Sequence, residues 1–162
     1  MGHDVRAIAN FVLNLAASQK REITNMHINK IVYFLHADYL VAFGKPLASA
    51  KIEAWEHGPV FRELYREFKK FGDKPITSLA TRVDPNTGNR EIATTDFSES
   101  ECAFLSELTI KYCRIPASAL RAHSHEAGGP WDNAWNHDNI ANASMRISDD
   151  RIKSWYERTL KH

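Results

Sequence analysis

Over Asn25–Phe43 the sequence carries a helical pattern that leaves almost no polar face. Ile28, Ile31, Val32, Leu35 and Tyr39 recur at helical spacing, and Tyr33, Phe34, Ala37 and Val41 make much of the remaining circumference apolar. A helix that is hydrophobic nearly all round must be packed on several sides, which places it at the centre of the domain. Thr24 is suited to cap its start, Gly44 to close it in the left-handed conformation, and Pro46 to prevent its return.

The flanking segments supply elements to surround it. Asp4 can cap a helix over Val5–Ser18, where Val5, Ile8, Ala9, Val12 and Ala16 give one apolar stripe. Gly58-Pro59 predicts a third helix over 59–71, because proline at the first helical position has a preset φ and lacks only an N–H that would be unpaired anyway. Phe61, Leu64, Tyr65, Phe68 and Phe71 follow at helical spacing. Residues 76–83 and 90–95 alternate weakly around the turn cluster Asp84-Pro85-Asn86-Thr87-Gly88-Asn89, predicting a small edge hairpin. Ser98 with Glu101 forms a capping box for a fourth helix, stopped by Pro116. Short helices are expected over 117–123 and 130–136. Ser148 is placed to cap a last helix, with Ile147 and Ile152 as a hydrophobic staple. The expected fold is mainly α, a compact bundle of about six helices around the central one, with a small β-hairpin, in one domain of 162 residues.

Charge and cysteine usage narrow the function classes. A net charge of +1 argues against a nucleic-acid partner, which usually calls for a clear basic excess. Cys102 and Cys113 fall in one expected helix, about 16 Å apart along its axis, too far to form a disulfide. Two free thiols point to a reducing cytoplasm. No apolar run approaches the roughly 20 residues that span a bilayer, and no signal-peptide pattern opens the chain, so no membrane role is expected.

Two segments resemble a known family. The first runs Lys30-Ile31-Val32-Tyr33-Phe34-Leu35-His36, then Gly44-Lys45-Pro46-Leu47, then Ala54-Trp55-Glu56-His57-Gly58-Pro59-Val60. The second is Leu120, Ser124-His125-Glu126 and Gly129-Pro130-Trp131. Together they resemble the Panacea domain, the family that includes the SocA-type antitoxins and the phage-associated GepA proteins. The sequence departs from the family pattern where Ser124 replaces an expected threonine and where Ala127-Gly128 lengthens the histidine-to-tryptophan spacing. The resemblance implies a toxin–antitoxin role with a cognate toxin protein as partner, a shared scaffold with a variable binding face, and no cofactor. It marks Lys30, Tyr33, His36, Trp55, Gly58, Pro59, His125, Glu126, Pro130 and Trp131 as motif residues, mainly structural.

The same residues invite chemical readings. His57, His123, His125, Glu126 and His137 could supply a metal site or an acid–base group, and a small metal-assisted hydrolase using His125 and Glu126 is the alternative function; a DNA-binding autorepressor is a third. The spacing is not that of a zinc protease, no cysteine pair accompanies it, and no nucleophile or phosphate loop is evident, so no catalytic residues and no metal are expected. His125 and Glu126 are expected to bond the backbone around the Gly128-Gly129-Pro130 turn. Lys30, on the central helix, is expected to pair with a carboxylate such as Glu53 or Glu126. Trp55 and Trp131 are expected in the core. Arg62, Arg66, Lys69, Lys70 and Lys74, interleaved with Glu63 and Glu67, are expected to pair along one solvated helix face.

Overall fold

The computed structural model describes residues 2–136 and 145–159. Among them the protein is mainly helical, with seven α-helices, a three-stranded sheet and a two-stranded ribbon. Helix α1 (Val5–Ser18) starts at Asp4, whose carboxylate accepts from the Arg6 amide. Helix α2 (Asn25–Phe43) starts at Thr24, which accepts from the His27 amide, and ends at Gly44 with φ +72°. Helices α1, α3 (Arg62–Phe68), α4 (Glu99–Cys113), α5 (Ala117–Ser124) and α7 (Asp149–Thr159) and strand β2 (Gly58–Phe61) all pack on α2. Fourteen of its side chains, from Asn25 to Leu40, are buried.

The region after α2 corrects one expectation. Gly58 and Pro59 do not open a helix. Strand β1 (Ile52–Trp55) and strand β2 (Gly58–Phe61) form an antiparallel hairpin, with Ala54 opposite Pro59, and α3 (Arg62–Phe68) begins only afterwards. Gly58 sits at φ +126°, far from helical values. Phe61 is held as strand by its amide, which donates to Oδ1 of the buried Asn29 on α2 at 2.9 Å. All four β2 residues are buried, and a short apolar run buried on both faces gives no periodicity to separate strand from helix. Pro59 is tolerated because β2 is an edge strand, where an absent N–H costs no ladder bond. The sheet order is β2-β1-β5, and β5 (Arg146–Ile147) pairs antiparallel with β1.

Helix α3 continues as a 3-10 turn, Lys69–Phe71. The ribbon β3 (Thr81–Val83) and β4 (Arg90–Ile92) is the expected edge hairpin, shorter than the sequence suggests. Buried Asn10 on α1 fastens its base, donating to the carbonyls of Ala80 and Ala93 and accepting from the Ala80 amide. The Ser98–Glu101 capping box opens α4 (Glu99–Cys113). Helices α5 (Ala117–Ser124) and α6 (Pro130–Trp135) follow, and α7 (Asp149–Thr159) closes over α2. Ser148 Oγ accepts from the Arg151 amide at the start of α7. The expected i, i+4 pairing along α3 is not what Arg62 and Glu67 do. Arg62 reaches across to Glu53 and Glu67 accepts from the Thr81 amide, because tertiary partners lie within reach of both.

Candidate functional site

The two sequence motifs, far apart in the chain, meet around the backbone of Gly58. A Cβ there would lie 3.2 Å from Ser124 Oγ, 3.6 Å from Lys30 Cε and 3.7 Å from His125 Nε2. Glycine is required at this point by its positive φ, and the close approach of Ser124 Oγ further disfavours a side chain there. Ser124 is turned into this position by a hydrogen bond to the Arg121 carbonyl, 2.8 Å, at the end of α5. The His125 ring lies flat on the Trp131 indole, with centroids 3.6 Å apart and planes within 5°. Trp135 extends the stack at 5.8 Å. Trp131, 7% exposed, donates its indole N–H to the carbonyl of Trp55 at 2.7 Å. Trp55 itself is only half-buried, edge-on to Tyr65 and donating to Glu53, so of the two motif tryptophans only Trp131 is a core residue. Pro130, buried, is the first residue of α6.

The electrostatics of this cluster differ from expectation. Lys30 is 2% exposed, yet among the described residues it has no carboxylate partner. Glu53 is already engaged by Trp55 and Arg62, and Glu126 turns its side chain to solvent. Burial, with the Arg121 charge added, pushes the Lys30 ammonium down to about 8. His125 is held below the usual imidazole range by burial and by Arg121, Lys30 and His57, against a smaller opposite pull from Asp132. Its Nε2 is buried and has no hydrogen-bond partner among the described residues. Of the two residues expected to hold the turn, Glu126 does so through its main-chain carbonyl, which accepts from the Gly129 amide at 3.0 Å, while the side-chain bonds come from Asp132, which accepts from the Gly128 amide, and from Asn133, which donates to the Gly128 carbonyl. An acidic side chain in the first turn of α6 reaches back to the orphan amides before it.

The remaining motif residues tie α7 to α2. Tyr33 is fully buried, with its hydroxyl 3.4 Å from that of Tyr156. His36, also fully buried, accepts from the Ala48 amide at Nδ1, so its proton sits on Nε2 and is donated to Asp149 at 2.8 Å. Asp38 on the same helix goes to Tyr112, not to Lys30, and burial holds its carboxyl above the usual range despite that hydrogen bond. Phe34, Asp38, Tyr112, Leu120, His123 and Tyr156 are among the residues lining a cavity of about 300 Å3 beside α5.

The metal-ligand reading finds no arrangement to rest on. Among the described residues no three His, Cys, Asp or Glu side chains are grouped as ligands, and His123 packs against Phe34, away from the His125 ring on Trp131. His137 lies outside the described residues. Both cysteines are free, and burial pushes the Cys113 thiol up to about 11, away from reactivity. No helix among the described residues is long and apolar enough to cross a membrane. Sequence reasoning missed Arg121, Asp132 and Asp149 as members of these networks. Arg121 could have been found, since it lies one helical turn before Ser124.

The residues gathered at Gly58 are those of a recognisable domain. The model of the SocA-like antitoxin family, Panacea domain, matches residues 28–132, which takes in both motifs. The chain belongs to this family. Antitoxin SocA of Caulobacter vibrioides (strain NA1000 / CB15N) is 35% identical over 151 residues, covering 93% of this chain and 80% of that protein. No solved structure matches the chain. In this member of the Panacea family, the shared motifs build one junction between α2, the β1–β2 hairpin, α5 and α6.

Proposed function

We propose that this chain is a cytoplasmic antitoxin that neutralises a cognate toxin by direct contact, without catalysis, and that the β3–β4 ribbon is part of the surface that meets it. Family membership and the likeness to an antitoxin support the role. The observation that carries the binding surface is the display of Val83 and Ile92, 51% and 52% exposed. In the ribbon's register Thr81 faces Ile92 and Val83 faces Arg90, so both aliphatic side chains share one face. Arg82 and Glu91 pair with each other on the opposite face, and Arg82 also reaches Asp4 on the body of the protein. Val83 and Ile92 lie diagonally on this face of a ribbon fixed by Asn10, beside Thr81 and Arg90, and offer a partner two large aliphatic groups in a polar frame. None of the motif residues lies on it, as befits a scaffold whose binding face differs from one member to the next.

The test is co-expression with the protein encoded beside this gene. Cells making that neighbour alone should stop growing, cells making both should recover, and the two proteins should elute together on size exclusion. Rescue with no complex would point to enzymatic reversal of the toxin's chemistry and away from direct neutralisation.

A further inference from the structure

The cavity of about 300 Å3 beside α5 is built from aromatic rings around one carboxylate. Phe34 on α2, Tyr112 on α4 and Tyr156 on α7 are buried, and the Phe34 ring centroid lies 5.7 Å from that of Tyr112 and 6.1 Å from that of Tyr156. Asp38, one turn after Phe34, lines the same space and is half-buried. Its Oδ2 accepts from the Tyr112 hydroxyl, which holds the carboxylate in place. Its Oδ1 accepts no bond from the described residues and is not sealed in the interior. Lys111, Ala119 and His123, all exposed, line the side that opens to solvent. The Lys111 ammonium lies over the Tyr112 ring, 5.4 Å from its centroid, without closing to an ion pair on Asp38. The recess therefore holds an acceptor and aromatic rings suited to a positive charge, and a cation already rests at its rim.

We propose that this cavity is a binding site for a primary ammonium on a short apolar stem, carried by a free arylalkylamine or by the lysine of a partner protein. The ammonium donates to Asp38 Oδ1, a charge-assisted bond, and the rings around it stabilise the same charge. Ile115 and Leu120 cover the stem. The volume is at the lower end of the roughly 300–1,000 Å3 found for small-molecule sites, so one short ligand fills it. Lys111, being exposed, yields its place over Tyr112 as the ligand enters. An anion would meet the Asp38 carboxylate, and a purely apolar ligand would cover Oδ1 without bonding it. The cavity shares no residue with the β3–β4 ribbon proposed above as the toxin contact.

The experiment is an NMR titration of the intact protein at constant ionic strength, read at the Tyr112, Tyr156 and His123 rings. Phenethylamine and Nα-acetyl-lysine methylamide are the two probes, and phenylethanol is the uncharged control. The amines should give saturable shifts, and phenylethanol should bind at least about tenfold more weakly, for want of the charge-assisted bond. Asp38→Asn keeps an acceptor for Tyr112 but removes the charge, and should weaken the amines by about the same factor. Lys111→Met, at an exposed position, removes the competing cation and should tighten them severalfold. Melts show whether each variant is folded; were Asp38→Asn unfolded, Lys111→Met decides the matter. Saturation by phenethylamine alone assigns a free arylalkylamine, and saturation by the lysine derivative assigns a partner's lysine. Shifts that are linear, equal for phenylethanol, or unchanged in both variants overturn the site.

Discussion

The Trp131 indole N–H donates to the main-chain carbonyl of Trp55 across 2.7 Å, fastening α6 to the β1–β2 hairpin. Trp131→Ala removes a buried side chain and this bond together, and is expected to lower stability by about 3–5 kcal/mol. Trp131→Phe keeps most of the packing but leaves the carbonyl unpaired, a loss of about 1–3 kcal/mol. Trp55→Ala should cost less, about 2 kcal/mol, because that ring is only half-buried. Urea denaturation of the three variants checks the order, and equal losses for Trp55→Ala and Trp131→Ala would contradict it.

Lys30 gives stability a distinctive dependence on pH. Its folded-state value, about 8, lies below the ordinary 10.5, so the folded protein resists protonation that the unfolded chain accepts. The penalty is therefore full below about 8 and is relieved as pH rises from there towards 10.5. A shift of this size is worth on the order of 3 kcal/mol. Lys30→Met should melt at or above wild type at pH 7, and the gap should narrow by pH 9. Cys113 acts in the opposite sense above pH 9, where the unfolded thiol ionises first, so the difference between the two proteins is the quantity to measure.

Glu101 supplies the acid-side counterpart. Burial pushes its carboxyl up, but the Ser98 amide, His3 and the Tyr39 hydroxyl outweigh this and hold it at about 2. A depressed carboxyl contributes stability above its unfolded value, 4.5, which is lost as pH falls towards 2. Glu101→Gln should lose about 1 kcal/mol at pH 7 through the weakened helix cap, and should show a shallower decline below pH 4.5 than wild type. Thermal melts across that range read it directly.

The ribbon should tolerate charge where the core does not. Val83→Asp with Ile92→Asp should change stability by no more than about 0.5 kcal/mol each, as exposed substitutions do. The same pair should weaken the toxin complex by at least about tenfold, equivalent to 1.4 kcal/mol, in a titration calorimeter. Full affinity in the doubly substituted protein would place the contact elsewhere.

What could be read from the residues, and what could not, follows from the range of the forces involved. The helices α1, α2 and α4 announce themselves because Asp4, Thr24 and the Ser98–Glu101 pair act on amides, and the Gly44 amide on the Leu40 carbonyl, within about a turn of themselves. Strands β1, β2 and β5 were not legible, since each is four residues or shorter and is fixed by partners such as Asn29 and Met145 far away in sequence. At the candidate site the motif residues were all identifiable, but not their bonds. Lys30 was expected to find a carboxylate, and nothing local could have shown that Glu53 would be taken by Arg62 or that the Asp132 side chain would join the Glu126 carbonyl in holding the turn.

The closing of α7 over α2 also sets the order in which this protein can become itself. The hydrogen bond from His36 to Asp149 spans 113 residues of chain. At about 5–20 residues per second, a ribosome needs roughly 6–23 s to deliver the second partner after the first. Throughout that interval Tyr33 lacks Tyr156 and strand β1 lacks β5, so the newborn chain exposes surface that proteases and chaperones read as unfinished. The supply of mature protein therefore trails its synthesis by that interval.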